Sequence, residues 1–346
     1  MREKTTLRVL RIFAVYLTLG ALLYFAFRNV PLSEIWLTLK QLHLWQIALL
    51  LGINALVIGF MTMRWWLVVR AENPRLPFVP LIGYRLSVFG LSYFTPGPQV
   101  GGEPLQVIYL RKFHNVTLAR AVSAVIIDKL LEFLGNFIFI GVGLFAAARA
   151  GILFGNGDIP GVGWVALAAL MAWPPVHIAL LYSGRHPVSR ILRAALSRFK
   201  NQKWFRLAVV SEYMASTFTR RHPRAWIAAL GASLAAWTGM GVEYLLMLEF
   251  LNVHVDLWQA TAALTASLLA FLMPLPGGLG ALEASQVLAL GALGYPASTA
   301  ISLTLIMRAR DLLNGGLGLL LAGRASIASA RNEIRQDPRE DRTAKE

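Results

Sequence analysis

Asp128 and Glu132 lie four residues apart, and so on one face of any helix that carries them, with Lys129 beside them. Glu243, Arg308, Arg310 and Asp311 interrupt two further apolar runs. Charges at membrane depth are costly, and those that persist face a cavity or each other. Two more carboxylates, Glu103 and Glu283, each close a Pro/Gly cluster: TPGPQVGGE at 95 to 103 and PLPGGLGALE at 274 to 283. Such groups can bind a charged ligand or exchange protons. A helix that restarts after a break also presents free N–H groups and the positive end of its dipole to an anion, and a phosphate headgroup fits that description. Plainer readings stand beside these. Asp128, Lys129 and Glu132 could pair only with one another at headgroup level, and the glycines could serve only close helix packing. Arg308 lies deep in its run, where snorkelling is harder and a buried role is favoured.

Bond-making chemistry finds little support. Gly231, Ala232 and Ser233 resemble the serine motif of intramembrane proteases, but His254 falls in a loop and no later span offers a histidine. Gly155 to Asp158 reads GNGD, an aspartyl-protease-like motif without a partner aspartate in a suitable span. The six histidines are scattered without an HExxH pattern, and cysteine is absent, so neither a metal nor a cofactor is expected. The sequon at Asn115 to Thr117 is read as chance.

The elements that must carry these residues are membrane helices. Of 346 residues 56% are hydrophobic and 15% charged, with a mean hydropathy of +0.57, which polar solvent alone would not tolerate. About 20 apolar residues cross a bilayer. Six stretches approach that: 10 to 28, 44 to 69, 120 to 148, 161 to 182, 225 to 250 and 297 to 322. The first has basic residues before it but no small-residue cleavage site after it, and is read as a retained span. Two shorter stretches, 83 to 94 and 258 to 273, run into the Pro/Gly clusters, which end helices. Both are read as re-entrant hairpins, since broken backbone in a bilayer must be buried in protein or line a wet cavity. The expected class is therefore all-α, a polytopic integral membrane protein of about six transmembrane helices plus two inverted re-entrant broken-helix hairpins.

The net charge of +15 does not point to nucleic acid, because the positives sit between apolar runs. The segment from 184 to 224 holds ten Lys or Arg against the single acid Glu212, whereas the loops expected opposite carry few basic residues. That asymmetry places both termini in the cytoplasm and the two hairpins on opposite faces. One membrane domain is expected over 1 to 325, with inverted repeats around 83 to 148 and 258 to 322, an arrangement common in secondary transporters. The tail from 326 to 346 reads as disordered. The apolar residues interleaved in 184 to 224 suit either an amphipathic helix on an anionic leaflet or a plain basic connector.

PGPQVGGEP at 96 to 104, ARAVSAVIIDKLLEF at 119 to 133, PLPGGLGALE and Arg308 together resemble the transmembrane domain of bacterial lysylphosphatidylglycerol synthase, a family also called flippase-like or UPF0104 membrane proteins. The resemblance spans about residues 10 to 325. It implies a lipid translocase module in the bacterial cytoplasmic membrane, without the soluble synthetase domain, and hence no lysine transfer. The family often has Asp-Arg where Asp128 and Lys129 stand, so the arginine fork is lost there. On this reading Pro96, Gly97, Gly101, Gly102, Pro276, Gly277, Gly278 and Gly280 admit a headgroup to the backbone. Arg85 and Arg308, with Arg310 and Asp311 nearby, meet its phosphate. Glu103, Glu283, Asp128 and Glu132 hold an amine or couple transport to protons. Membrane lipids are the expected partners, with a second copy or an envelope-synthesis enzyme as further candidates. The competing reading is a non-transporting anchor for such an enzyme, docked through 184 to 224.

Overall fold

The computed structural model describes residues 36–37, 40–95, 101–150, 161–273 and 275–343. The expected first span at 10 to 28, the loop at 151 to 160, and Pro96 and Gly97 lie outside them. Among the described residues the chain is helical, with no strand.

Two sets of four helices carry the core. The first is α1 (Leu44–Glu72), α2 (Val79–Phe94), α3 (Glu103–His114) and α4 (Leu118–Arg149). After α5 (Gly161–Tyr182), α6 (Pro187–Ala195) and α7 (Lys203–Arg221), the second set follows: α8 (Pro223–Phe250), α9 (Leu257–Phe271), α10 (Ala281–Ala292) and α11 (Ala297–Thr343). Each member of the second set begins 178 or 179 residues after its counterpart: Leu44 to Pro223, Val79 to Leu257, Glu103 to Ala281, Leu118 to Ala297. The long helices α1, α4 and α8 are apolar and long enough to cross a bilayer. At 1.5 Å per residue α2 and α3 reach only about 24 and 18 Å, short of a hydrocarbon core of roughly 30 Å. Neither they nor α9 and α10, of similar length, can span it singly.

Packing follows the same pairing. α1 lies along α8, its own counterpart, while α2 packs on α11 and α9 on α4. Exchanging the two sets maps the α1–α8 contact onto itself and the α2–α11 contact onto α9–α4. α1 and α8 run antiparallel: Leu50 near the start of α1 shares an apolar cluster with Met247 near the end of α8, and Trp65 shares one with Trp226. α2 and α11 approach at backbone distance, because a Cβ on Gly90 would stand 2.6 Å from the Gly315 carbonyl oxygen and one on Gly318 would overlap that of Leu86. Small residues at such crossings are what van der Waals packing in a bilayer selects.

In the basic segment, the lone acid has a structural task. The buried Glu212 carboxylate on α7 accepts from the backbone N–H groups of Val188 and Ser189 at 2.9 and 2.6 Å, pinning the N-terminus of α6. α11 continues as helical backbone to Thr343, through the tail whose composition suggests disorder.

Candidate functional site

The first half builds a ladder of ion pairs across three helices. Arg64 on α1 donates from Nε to Asp128 at 2.7 Å and from Nη2 to Glu132 at 2.8 Å. Arg85 on α2 meets the same two acids at 3.0 and 3.2 Å. Asp128 is fully buried between the two guanidinium groups, and Arg64 is 2% exposed. The i, i+4 spacing on α4 presents both acids to one face, where each can accept from two arginine forks. Lys129 then bridges Glu132 at 2.8 Å and Glu103, the first residue of α3, at 3.0 Å.

The second half repeats the logic with different residues. Arg308 on α11 donates to Glu283 of α10 at 2.5 Å and to the Gly277 carbonyl at 3.3 Å. Arg310 bridges Glu243 of α8 at 3.0 Å and its neighbour Asp311 at 2.8 Å. Asn314 donates to Asn54 of α1 at 2.8 Å, tying α1 to α11 beside these pairs. Lys129 and Arg308 stand 179 positions apart, as do Glu132 and Asp311, so the spacing between the two sets of helices extends to their charged side chains. In both halves a cation on the last helix of the set holds the glutamate that follows the break.

Those glutamates change what the breaks can offer. Glu103 accepts from the Gly101 N–H at 2.7 Å, and Glu283 from the Gly280 N–H at 2.9 Å. The helix starts that the sequence offers to a phosphate are therefore met by the chain's own carboxylates. Gly277 and Gly280 hold the second break in left-handed backbone, φ 55° and 79°, a conformation glycine adopts without penalty. At the first break the Gly102 N–H donates to Ser92 Oγ at 2.9 Å, and a Cβ on Gly102 would overlap the Val88 carbonyl.

Both ladders open on one cavity of about 260 Å³. Arg64, Arg85, Glu103, Lys129 and Glu132 line it from the first half, Glu243, Arg310 and Asp311 from the second. Asp128 stands behind this wall, and so does the Arg308–Glu283 pair. Counting both ladders, five cations face six carboxylates, and every cation is already engaged by an acid. Among the described residues no cluster of three or more metal-ligating side chains occurs.

Of the residues singled out from sequence, Arg85, Glu103, Asp128 and Glu132 meet in one ladder, and Arg308, Glu283, Arg310 and Asp311 in the other. Pro276, Gly277, Gly278 and Gly280 form the second break behind Arg308, and Gly101 and Gly102 the described end of the first. Sequence reasoning passed over Arg64 as a site residue, because it stands near the end of an otherwise apolar helix and resembles a flanking positive charge. Lys129 and Glu243 were singled out as charges at membrane depth but given no role in the site. One signal was available: each break is followed by Glu-x-x-Gln, Glu103 with Gln106 and Glu283 with Gln286. Gln286 is buried and tied to Tyr244, the Ala263 carbonyl and Ser267.

Broken half-helices, paired charges at the centre of apolar helices and a shared cavity define a polytopic helical membrane protein with a polar site enclosed among its spans. The chain belongs to the family described as the lysylphosphatidylglycerol synthase TM region, whose model matches residues 9–318. It is 24% identical over 275 residues to a UPF0104 membrane protein of Pyrococcus horikoshii, covering 75% of this chain and 80% of that one. No solved structure matches the chain significantly.

Proposed function

We propose that this protein translocates a lipid whose headgroup carries an amine, with the headgroup crossing through the charged cavity. The observation that carries the reading is the cavity's lining: it lies among apolar helices, and four carboxylates and four cations face it with each cation already paired to an acid. A purely anionic headgroup would have to displace carboxylates from arginines already paired, whereas an amine can join Glu132, Glu243 or Asp311 as a further donor. The antiparallel α1–α8 pair supports hairpins entering from opposite faces, the inverted arrangement in which broken helices meet near the midplane. Proton coupling through Glu103 or Glu283 is compatible with this scheme.

The site of action in this reading is the cytoplasmic membrane, with both termini in the cytoplasm. α6 and α7 lie on its anionic leaflet, where Arg190, Ile191 and Arg193 are all exposed. Headgroup accessibility in proteoliposomes tests the function: labelled phosphatidylethanolamine and lysylphosphatidylglycerol move in a protein-dependent way, and phosphatidylglycerol moves at least roughly tenfold more slowly, a discrimination of about 1.4 kcal/mol. Equal movement of all three contradicts the amine requirement. Movement of none favours a non-transporting anchor, which a co-purifying enzyme lost on deleting 187 to 221 would establish.

A further inference from the structure

A second cavity, of about 370 Å³, lies between α4, α8 and α9. It is the chemical opposite of the first. Leu131, Ile138, Val142, Leu230 and Leu245 are among its walls, and among the described residues no charged side chain lines it. Its rim includes Leu234 and Val242 on α8, 70% and 43% exposed on a helix apolar enough to cross a bilayer, and Leu257 at the start of α9, 65% exposed. It is not separate from the charged cavity, because Ser233, Trp237, Tyr244 and Leu264 line both. Ser233 marks the junction, accepting from Arg64 Nη1 at 3.4 Å on its polar side.

The dimensions fit one occupant. Along α4 the groove runs from Leu131 to Val142, eleven residues or roughly 16 Å at the helical rise. That is close to half of a hydrocarbon core of about 30 Å, the depth available to a single acyl chain in one leaflet. A groove that is charged at one end, apolar along its length and open to the lipid side along its flank matches an amphiphile.

We propose that this groove holds the hydrocarbon chain of the lipid whose headgroup enters the charged cavity. The inference rests on the reading of the ligand as a lipid, and it adds that the chain stays in a defined protein groove instead of trailing freely in the bilayer. Trp237 and Tyr244, common to both walls, stand where the glycerol or equivalent linker passes, a position that suits side chains with one apolar and one polar end.

The absence of cysteine from the sequence allows the test in the intact chain, since one introduced thiol is a unique label site. Thr261→Cys places a fluorophore in the groove, and Leu288→Cys, 74% exposed on α10, reports on ordinary annular lipid. In proteoliposomes titrated with acyl-brominated phosphatidylethanolamine, and separately with brominated phosphatidylglycerol, quenching at position 261 should saturate with at least one of them, while quenching at 288 rises linearly. Gly241→Trp, built where a Cβ meets no atom within 4 Å, should plug the groove and abolish the saturable component without unfolding the protein. Linear quenching at both positions with both lipids overturns the groove assignment even if transport is intact. Saturable quenching in a protein that moves no lipid keeps the groove and removes the translocase reading.

Discussion

The tightest commitment in the molecule is made by single residues. Asp128 has no contact with solvent and relies on Arg64 and Arg85 for both of its oxygens. Removing one partner from a buried pair leaves an uncompensated charge, so Arg64→Met should cost about 3–5 kcal/mol. The check is the thermal midpoint in detergent: a large drop is expected, and a loss within the roughly 0.5 kcal/mol of an ordinary surface substitution would contradict the ladder. Gly277→Ala has two penalties, about 1–2 kcal/mol for left-handed backbone and a Cβ 2.8 Å from the Tyr93 ring. It should depress transport, whereas Gly291→Ala, facing open space, should leave transport and melting unchanged. The acids of this site were legible because a carboxylate in an apolar run needs an explanation. Arg64 was not, because an arginine near a helix end has an ordinary one, and only the fold reveals that it points inward to Asp128.

At the level of elements, hydropathy and Pro/Gly punctuation located α1, α2, α4, α8 and α9 to within a few residues and the start of α11, whereas α3 and α10, which follow the breaks, received no bounds and α11 runs past 322 to Thr343. α5 runs over the expected 161 to 182, and the stretches at 83 to 94 and 258 to 273 became α2 and α9. Hydropathy carries depth but no lateral order, so it could not reveal that α2 packs on α11 and α9 on α4. Nor could it show that the N–H groups of both breaks are taken by Glu103 and Glu283. The α2–α11 crossing predicts that Gly318→Leu, which drives a side chain into the Leu86 carbonyl, separates the halves and lowers the yield of monodisperse protein in size-exclusion chromatography. Retention of wild-type elution and melting would mean that the two backbones do not meet there.

The whole molecule pairs two sets of four helices that follow the same order, antiparallel along α1 and α8, and their charged ladders open on one cavity. Orientation in the membrane is open to direct labelling. Single cysteines at Arg75 and Thr117, flanking the α2–α3 hairpin, should react with an impermeant thiol reagent from the cytoplasmic face. Those at His254 and Ser298, flanking α9–α10, should react from the opposite face; all four residues are exposed. Reaction of either flanking pair from two different faces would exclude a re-entrant hairpin at that place. Translocation along this path is tested most directly by the rate of amine-lipid movement in proteoliposomes containing the Glu103→Gln, Glu283→Gln double variant, measured beside wild type at equal reconstituted amounts. Both glutamines keep the side-chain length but give up the charge that Lys129 and Arg308 hold, so movement should fall to the protein-free rate while insertion and elution stay normal. Movement at the wild-type rate would contradict a headgroup path between the two breaks.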